Sequence, residues 1–225
     1  MTILYETVAA DLKQKAVAVR RGEVDLLEIS EALQTLAGRD LRMSPPDLLG
    51  EPNSLTPKKW LSYGHASYDL PLHTDYPDFA SPPRFVLLKC HSAGKTPVET
   101  VFYDVGNEAL KHPERVTLLS EPWLTTGGVE SSRLVRLLTI DPVSRSPLLR
   151  YASNVMRPFF PSSSRGRQIL FEIVGTSYPL AIVLMPGDIV VWDNWRVLHS
   201  RRAAEIVPST WMAGPGRILE RWKWI

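Results

Sequence analysis

Apolar positions in the first forty residues recur at intervals of three and four. Leu26, Ile29, Leu33 and Leu36 form one stripe, the spacing of an amphipathic helix that buries a single face. Asp25 followed by Glu28 resembles a capping box at its start, and Gly38 is placed to stop it. An earlier helix is predicted from about Thr7 to Arg20, ending at Gly22. From Asp40 to Pro57 the residues Pro45, Pro46, Gly50, Pro52 and Pro57 predict an irregular surface connection. Beyond Trp60 the pattern becomes short, apolar and β-like. Strands are predicted at 84–91, 99–104, 134–140, 148–152, 179–184, 189–192 and 217–225, with a proline-containing helix over 105–119. Met185-Pro-Gly-Asp188 is a strong turn signal between two of them. Two helices followed by many short strands predict a mainly β fold with a helical cover, of jelly-roll type.

Composition narrows this picture without redirecting it. The 225 residues are 44% hydrophobic and 22% charged, an ordinary globular balance that excludes a disordered chain. That length fits one domain, expected to comprise an N-terminal cover over 1–57 and a jelly-roll core over 58–225. The net charge of +2 is too even to argue for nucleic acid or an anionic membrane as partner. No apolar run approaches the roughly 20 residues of a membrane span. No basic, apolar leader is read at the N-terminus. Cys90 is the lone cysteine, which excludes an internal disulfide framework and a multi-cysteine zinc site, and makes a cytoplasmic setting the expectation.

The candidate chemistry starts at His73 and Asp75, in Leu70-Pro-Leu-His-Thr-Asp75. On an extended chain residues two apart share a face, so an imidazole and a carboxylate would stand side by side. With a second imidazole they would form the two-His, one-carboxylate set that suits non-haem Fe(II) with open coordination positions. Alone, His-x-Asp is most often a solvated loop. A second segment, Pro186-Gly-Asp-Ile-Val-Val-Trp-Asp-Asn-Trp-Arg-Val-Leu-His-Ser-Arg201, changes the balance. It reads as a tight turn, a buried strand, a polar corner at Asp193 and Asn194, and a strand carrying His199.

Together these segments resemble the two half-sites of the taurine dioxygenase and gamma-butyrobetaine hydroxylase family, over roughly residues 60–225. The family consists of Fe(II)- and 2-oxoglutarate-dependent oxygenases on a double-stranded β-helix. The resemblance implies that His73, Asp75 and His199 hold the iron. It further implies that Arg217, on the last core strand, and Thr100, in Glu99-Thr100, receive the far carboxylate of 2-oxoglutarate. Arg221, four residues beyond Arg217, matches the position that meets the anionic end of substrate in taurine dioxygenase. Arg201 and Arg157 are further candidate anion contacts, and for each a structural role is the simpler reading. Asp193 and Asn194 are assigned to fixing the turn before His199, and His65, His91 and His112 are read as non-ligands.

The implied activity is oxidation of a C–H bond in a small organic metabolite with O2 and 2-oxoglutarate, releasing succinate and CO2. The outcome is a hydroxylation, desaturation, cyclisation or epimerisation. Asp75 argues against halogenation, because halogenases of this type lack the carboxylate. The sequence departs from the family pattern at Lys95-Thr-Pro-Val98 and at His199-Ser-Arg201, and the stretch between Arg157 and Pro186 is brief. These departures touch substrate choice and lid, and point to a specialised metabolic role. Two alternatives stay open: a cupin-like metal enzyme that uses no 2-oxoglutarate, and a non-catalytic jelly-roll binding protein. Substrate identity and oligomeric state are also left open.

Overall fold

A computed structural model describes residues 2–22, 24–38, 40–49, 70–93, 98–126, 132–160, 164–202 and 218–225. Helix α1 (Thr2–Lys15) runs into strand β1 (Val17–Arg20), and α2 (Leu26–Ala37) precedes the short strand β2 (Asp47–Leu49). Strands β3 (Leu70–His73), β4 (Phe85–Ser92) and β5 (Glu99–Asp104) follow. Two short helices, α3 (Gly106–Lys111) and α4 (Arg115–Ser120), lead to the small strands β6 (Trp123–Thr125), β7 (Leu134–Val135), β8 (Leu138–Ile140), β9 (Pro147–Leu149) and β10 (Met156–Pro158). Helix α5 (Arg165–Thr176) then returns the chain to β11 (Leu180–Val183), β12 (Ile189–Asp193), β13 (Val197–Arg202) and β14 (Ile218–Trp224).

Two antiparallel sheets form the core. One has the order β1-β12-β4-β14-β2 and the other β11-β5-β13-β3. Period-2 alternation assigns each strand's residues to two faces. Val86, Leu88, Cys90, Val190, Trp192 and Leu219 of the first sheet pack against Phe102 and Val197 of the second, between the sheets. The alternate residues Phe85, Leu87, Ile189, Val191 and Trp224 face outward and are covered by Val8 and Leu12 of α1 and Ile29 and Leu33 of α2. The second sheet's outer face, with Leu198 and Tyr103, is covered by Ala109, Leu118, Ile169, Leu170 and Ile173 from α3, α4 and α5. This sandwich with helices on both flanks is the mainly β, double-stranded β-helix architecture expected from the sequence.

Three local differences have physical causes. The chain leaves α1 at Ala16, whose φ of 58° is left-handed, and Val17–Arg20 pairs with β12 instead of prolonging the helix to Arg20. Strand pairing and burial of the β-branched residues override a weak helical pattern. The helix predicted over 105–119 is two helices, because Pro113 between them has no N–H to donate. The brief stretch after Arg157 contains α5, twelve residues long. Helix α2 matches its expectation. The Asp25 side chain accepts from the Leu27 N–H, and Gly38, at φ 65°, donates to Gln34 O and Thr35 O. The proline-rich region after Asp40 is in part ordered along the sheet edge: Ser44 N–H donates to Lys223 O, and Asp47 is the register partner of Arg221. An edge tolerates prolines that a central strand would not.

Candidate metal centre

Strand pairing brings the two motifs together. His73, the last residue of β3, is the direct register partner of His199 on β13. Both rings lie on the inward side, with centroids 4.1 Å apart. β3 lies at the sheet edge, which is where Pro71 is tolerated. Pro71 also orients its neighbour, because its carbonyl oxygen is 2.8 Å from His73 Nδ1. A carbonyl only accepts, so the ring proton sits on Nδ1 and the lone pair on Nε2.

Asp75 does not continue the strand. β3 ends at His73, and Tyr76 takes a left-handed φ of 53°. The carboxylate is therefore placed by a turn, and that turn is held from two sides. Asn194 Oδ1 accepts the Asp75 N–H at 2.7 Å, while its Nδ2 donates to Asp75 O at 2.9 Å and to Pro83 O at 3.0 Å. Arg150, itself buried, donates to the carbonyls of Pro77, Phe79 and Ala80. The Thr74 N–H donates to Tyr151 O at 2.7 Å. Asp193 supports Asn194 from behind by accepting from the Trp195 N–H at 3.1 Å and pairing with Arg84 at 3.5 Å.

The donor atoms of His73, Asp75 and His199 lie within 4.8 Å of one another, all three residues buried, and no other group of this kind occurs among the described residues. Asp75 Oδ2 is 3.7 Å from His199 Nε2, too long for a hydrogen bond and wide enough for a cation between them. His199 Nδ1 is buried without a hydrogen-bond partner. Its ring is flanked by Trp192, with centroids 5.0 Å apart, and by Phe102, stacked at 5.9 Å.

Burial disfavours protonation of both imidazoles. His73 is shifted down, and His199, which also feels the charge of His73, is pushed down to about 3. Burial alone would raise Asp75, but His199 and Arg221 outweigh it and hold the carboxyl below its ordinary value. The cluster is thus two neutral imidazoles and one carboxylate, the protonation state in which these groups bind a divalent metal. A pH dependence follows for the metal-free protein. Below the ordinary histidine value of 6.5 the unfolded chain binds protons that the folded chain refuses. Stability is therefore full above about 6.5 and falls as the pH drops towards about 3, with Asp75 adding in the same sense. Urea melts across that range are expected to show the decline, and His199→Asn is expected to flatten it.

The other sequence candidates are distributed unevenly. Thr100 is buried on β5, on the same face as Phe102, and is the register partner of Arg201 on β13. Both therefore face the space between the sheets, two positions from the His199–Phe102 pair. Arg221 reaches Asp75 Oδ1 at 3.4 Å and Asp47 Oδ2 at 3.3 Å. Arg157 is exposed on β10, in a separate three-stranded sheet with β6 and β7. Arg217 and His65 lie outside the described residues. His91 pairs with Glu220 at 3.0 Å, and His112 Nδ1 accepts from the Glu114 N–H, so neither belongs to the cluster. Sequence reasoning missed Arg150, Asp47, Tyr76 and Lys223. Only Lys223, at an even spacing from Arg221, carried a signal that would have placed it on the same face.

The family model described as taurine catabolism dioxygenase TauD, TfdA family, matches residues 12–221. Gamma-butyrobetaine dioxygenase of Homo sapiens is 23% identical over 158 residues, covering 60% of this chain and 40% of that protein. This chain therefore matches well under half the length of that relative. Among solved structures, an asparagine oxygenase in complex with Fe(II), 2S,3S-3-hydroxyasparagine and succinate superposes with a TM-score of 0.69 at 17% identity, covering 99% of this chain and 79% of the other. A taurine dioxygenase from Burkholderia xenovorans gives 0.66 at 13% identity, covering 99% and 81%. The oxygenase OrfP, in complex with Fe and alpha-ketoglutaric acid, gives 0.66 at 16% identity, covering 97% and 79%. These likenesses establish a common fold.

Proposed function

Since the chain belongs to the TauD/TfdA family of taurine catabolism dioxygenases, we propose that it is an Fe(II)- and 2-oxoglutarate-dependent dioxygenase. It oxidises a C–H bond of a small organic metabolite and releases succinate and CO2. The observation that carries this reading is the buried cluster of His73, Asp75 and His199, whose donor set suits ferrous iron with one face left for reactants. The match over residues 12–221 supports reading the N-terminal helices and the jelly-roll strands as one oxygenase domain.

In this reading Nε2 of His73, Nε2 of His199 and the Asp75 carboxylate hold the iron. The bound iron and 2-oxoglutarate supply the oxidising chemistry, and the protein supplies orientation and shielding. Pro71 fixes the tautomer of His73, and Asn194 fixes the approach of Asp75. Trp192 and Phe102 wall the His199 side with apolar surface that excludes water. Thr100 and Arg217 are proposed for the far carboxylate of 2-oxoglutarate. Thr100 is supported by its buried place on the site-facing side of β5. For an anionic group on the substrate the proposed contacts are Arg221 and Arg201, with Arg157 a more remote third.

No described helix is long and apolar enough to cross a membrane. A cytoplasmic setting is proposed from the single cysteine of the sequence, the buried Cys90, and a specialised metabolic role from the departures at Lys95–Val98 and Ser200. The test is a metabolite screen read out as succinate. Succinate is expected to rise above the no-metabolite level for one chemical class, and only with both Fe(II) and 2-oxoglutarate present. Succinate formation that persists without iron would contradict the reading.

A further inference from the structure

We propose that Asp47, on the edge strand β2, is a positioning residue for the metal-binding carboxylate of Asp75, and that it acts through Arg221. The inference rests on the functional reading above and extends it to a residue outside both iron motifs.

The two oxygens of Asp75 face different neighbours. Oδ2 points towards His199 Nε2, at 3.7 Å, and Oδ1 receives Arg221 NH1, at 3.4 Å. Left alone, a guanidinium beside a buried carboxylate takes both of its oxygens in a forked pair, and a metal would then compete with Arg221 for Oδ2. Asp47 prevents that. It is the cross-strand register partner of Arg221, and its Oδ2 takes the other arm, NH2, at 3.3 Å. The same oxygen accepts from Tyr76 Oη at 2.9 Å and Lys223 Nζ at 3.2 Å. Tyr76 follows Asp75 directly in the chain and has the left-handed backbone of the turn. Its ring lies under the Arg221 guanidinium, 4.8 Å from the centroid, and beside Lys223 Nζ at 4.7 Å. Asp47 is thus the hub that holds Arg221, Lys223 and Tyr76 in one arrangement against the metal-side turn.

The charge balance points the same way. Asp47 and Asp75 carry two negative charges, and Arg221 and Lys223 carry two positive ones. Removing Asp47 leaves a net positive charge beside a site meant for a dication. It also frees the Arg221 fork to close on Asp75. Both effects lower the affinity for metal.

The experiment is an anaerobic Fe(II) titration of the full chain, with and without 2-oxoglutarate, for wild type, Asp47→Asn, Arg221→Met and the double variant. Circular dichroism monitors the fold. Asp47 is 42% exposed in its side chain, so the isosteric change is expected to leave the fold intact. The expected result is a roughly 10- to 100-fold weaker Fe(II) affinity for Asp47→Asn, the usual range for losing a partner behind a ligand. In the Arg221→Met background the same change is expected to cost only the smaller, through-space charge part of that loss, because the positioning of Asp75 runs through Arg221. A wild type that binds Fe(II) alongside an Asp47→Asn variant of equal affinity overturns this inference and leaves the functional reading standing. Equal losses in both backgrounds overturn the route through Arg221. A wild type that binds no Fe(II) overturns the functional reading, and this inference with it.

Discussion

His73→Ala and His199→Ala are each expected to abolish 2-oxoglutarate-dependent succinate release while the chain stays folded. Each removes one of the three donors that converge within 4.8 Å. In the proposed reading, the two donors left would not hold Fe(II) on a defined face. The affinity for Fe(II) is expected to fall by more than the ~100-fold that follows loss of a mere supporting partner. The cost to the metal-free fold is moderate. His199 is buried as a neutral ring with Nδ1 unpartnered, so its removal gives up packing on Trp192 and Phe102 but strands no charge. A loss of about 1–3 kcal/mol is expected. Measuring succinate release and urea unfolding on the same preparations separates the two effects. A variant that keeps wild-type succinate release would remove that histidine from the metal centre.

Asn194→Ala is expected to damage both stability and metal binding, although residue 194 touches none of the proposed metal-binding atoms. Its side chain closes three hydrogen bonds in a buried corner, to the N–H and C=O of Asp75 and the C=O of Pro83. Truncation leaves these backbone groups without partners, and each buried orphan costs about 1–3 kcal/mol. Allowing for partial relaxation, the total loss is expected to be about 2–4 kcal/mol. The midpoint of urea unfolding is expected to move with little change in slope. Asp75 then loses the clamp that fixes its turn, and Fe(II) affinity is expected to drop by a further ~10- to 100-fold. Asn194→Asp is the sharper variant. It keeps the shape and one acceptor but has no donor for the carbonyls of Asp75 and Pro83, so it is expected to be no better than alanine. A wild-type Fe(II) affinity in Asn194→Asp would detach the corner from the metal centre.

The three residues of the cluster were legible because their chemistry is carried by residue type. Two histidines and an aspartate in a recurring local context are visible without coordinates, and β3–β13 pairing brings His73 opposite His199. The face pattern of α2 was legible for a similar reason, since its period and both caps are written locally. The means by which Asp75 reaches the cluster was not legible. Extended geometry through residue 75 was the expectation, whereas the chain turns at Tyr76 and is pinned by Asn194 and Arg150. Those bonds join residues distant in sequence, and no local pattern encodes them. Asp47 was hidden in a proline-rich stretch that reads as an irregular loop, because its role depends on which strand it happens to border. Helix α5 did carry a local signal in Ile169, Leu170 and Ile173, all buried against the second sheet, but its short span between β-like segments masked the period.

β3 and β13 are proposed to close around one ferrous ion and to leave part of its coordination sphere for the co-substrate. The most direct test of this proposal is to add Fe(II) and then 2-oxoglutarate to the metal-free protein without oxygen, following the visible spectrum. One iron per chain is expected, with a charge-transfer absorption that appears only when both are present. A folded protein that takes up Fe(II) and 2-oxoglutarate without developing that absorption, or that takes up neither, would contradict the proposal.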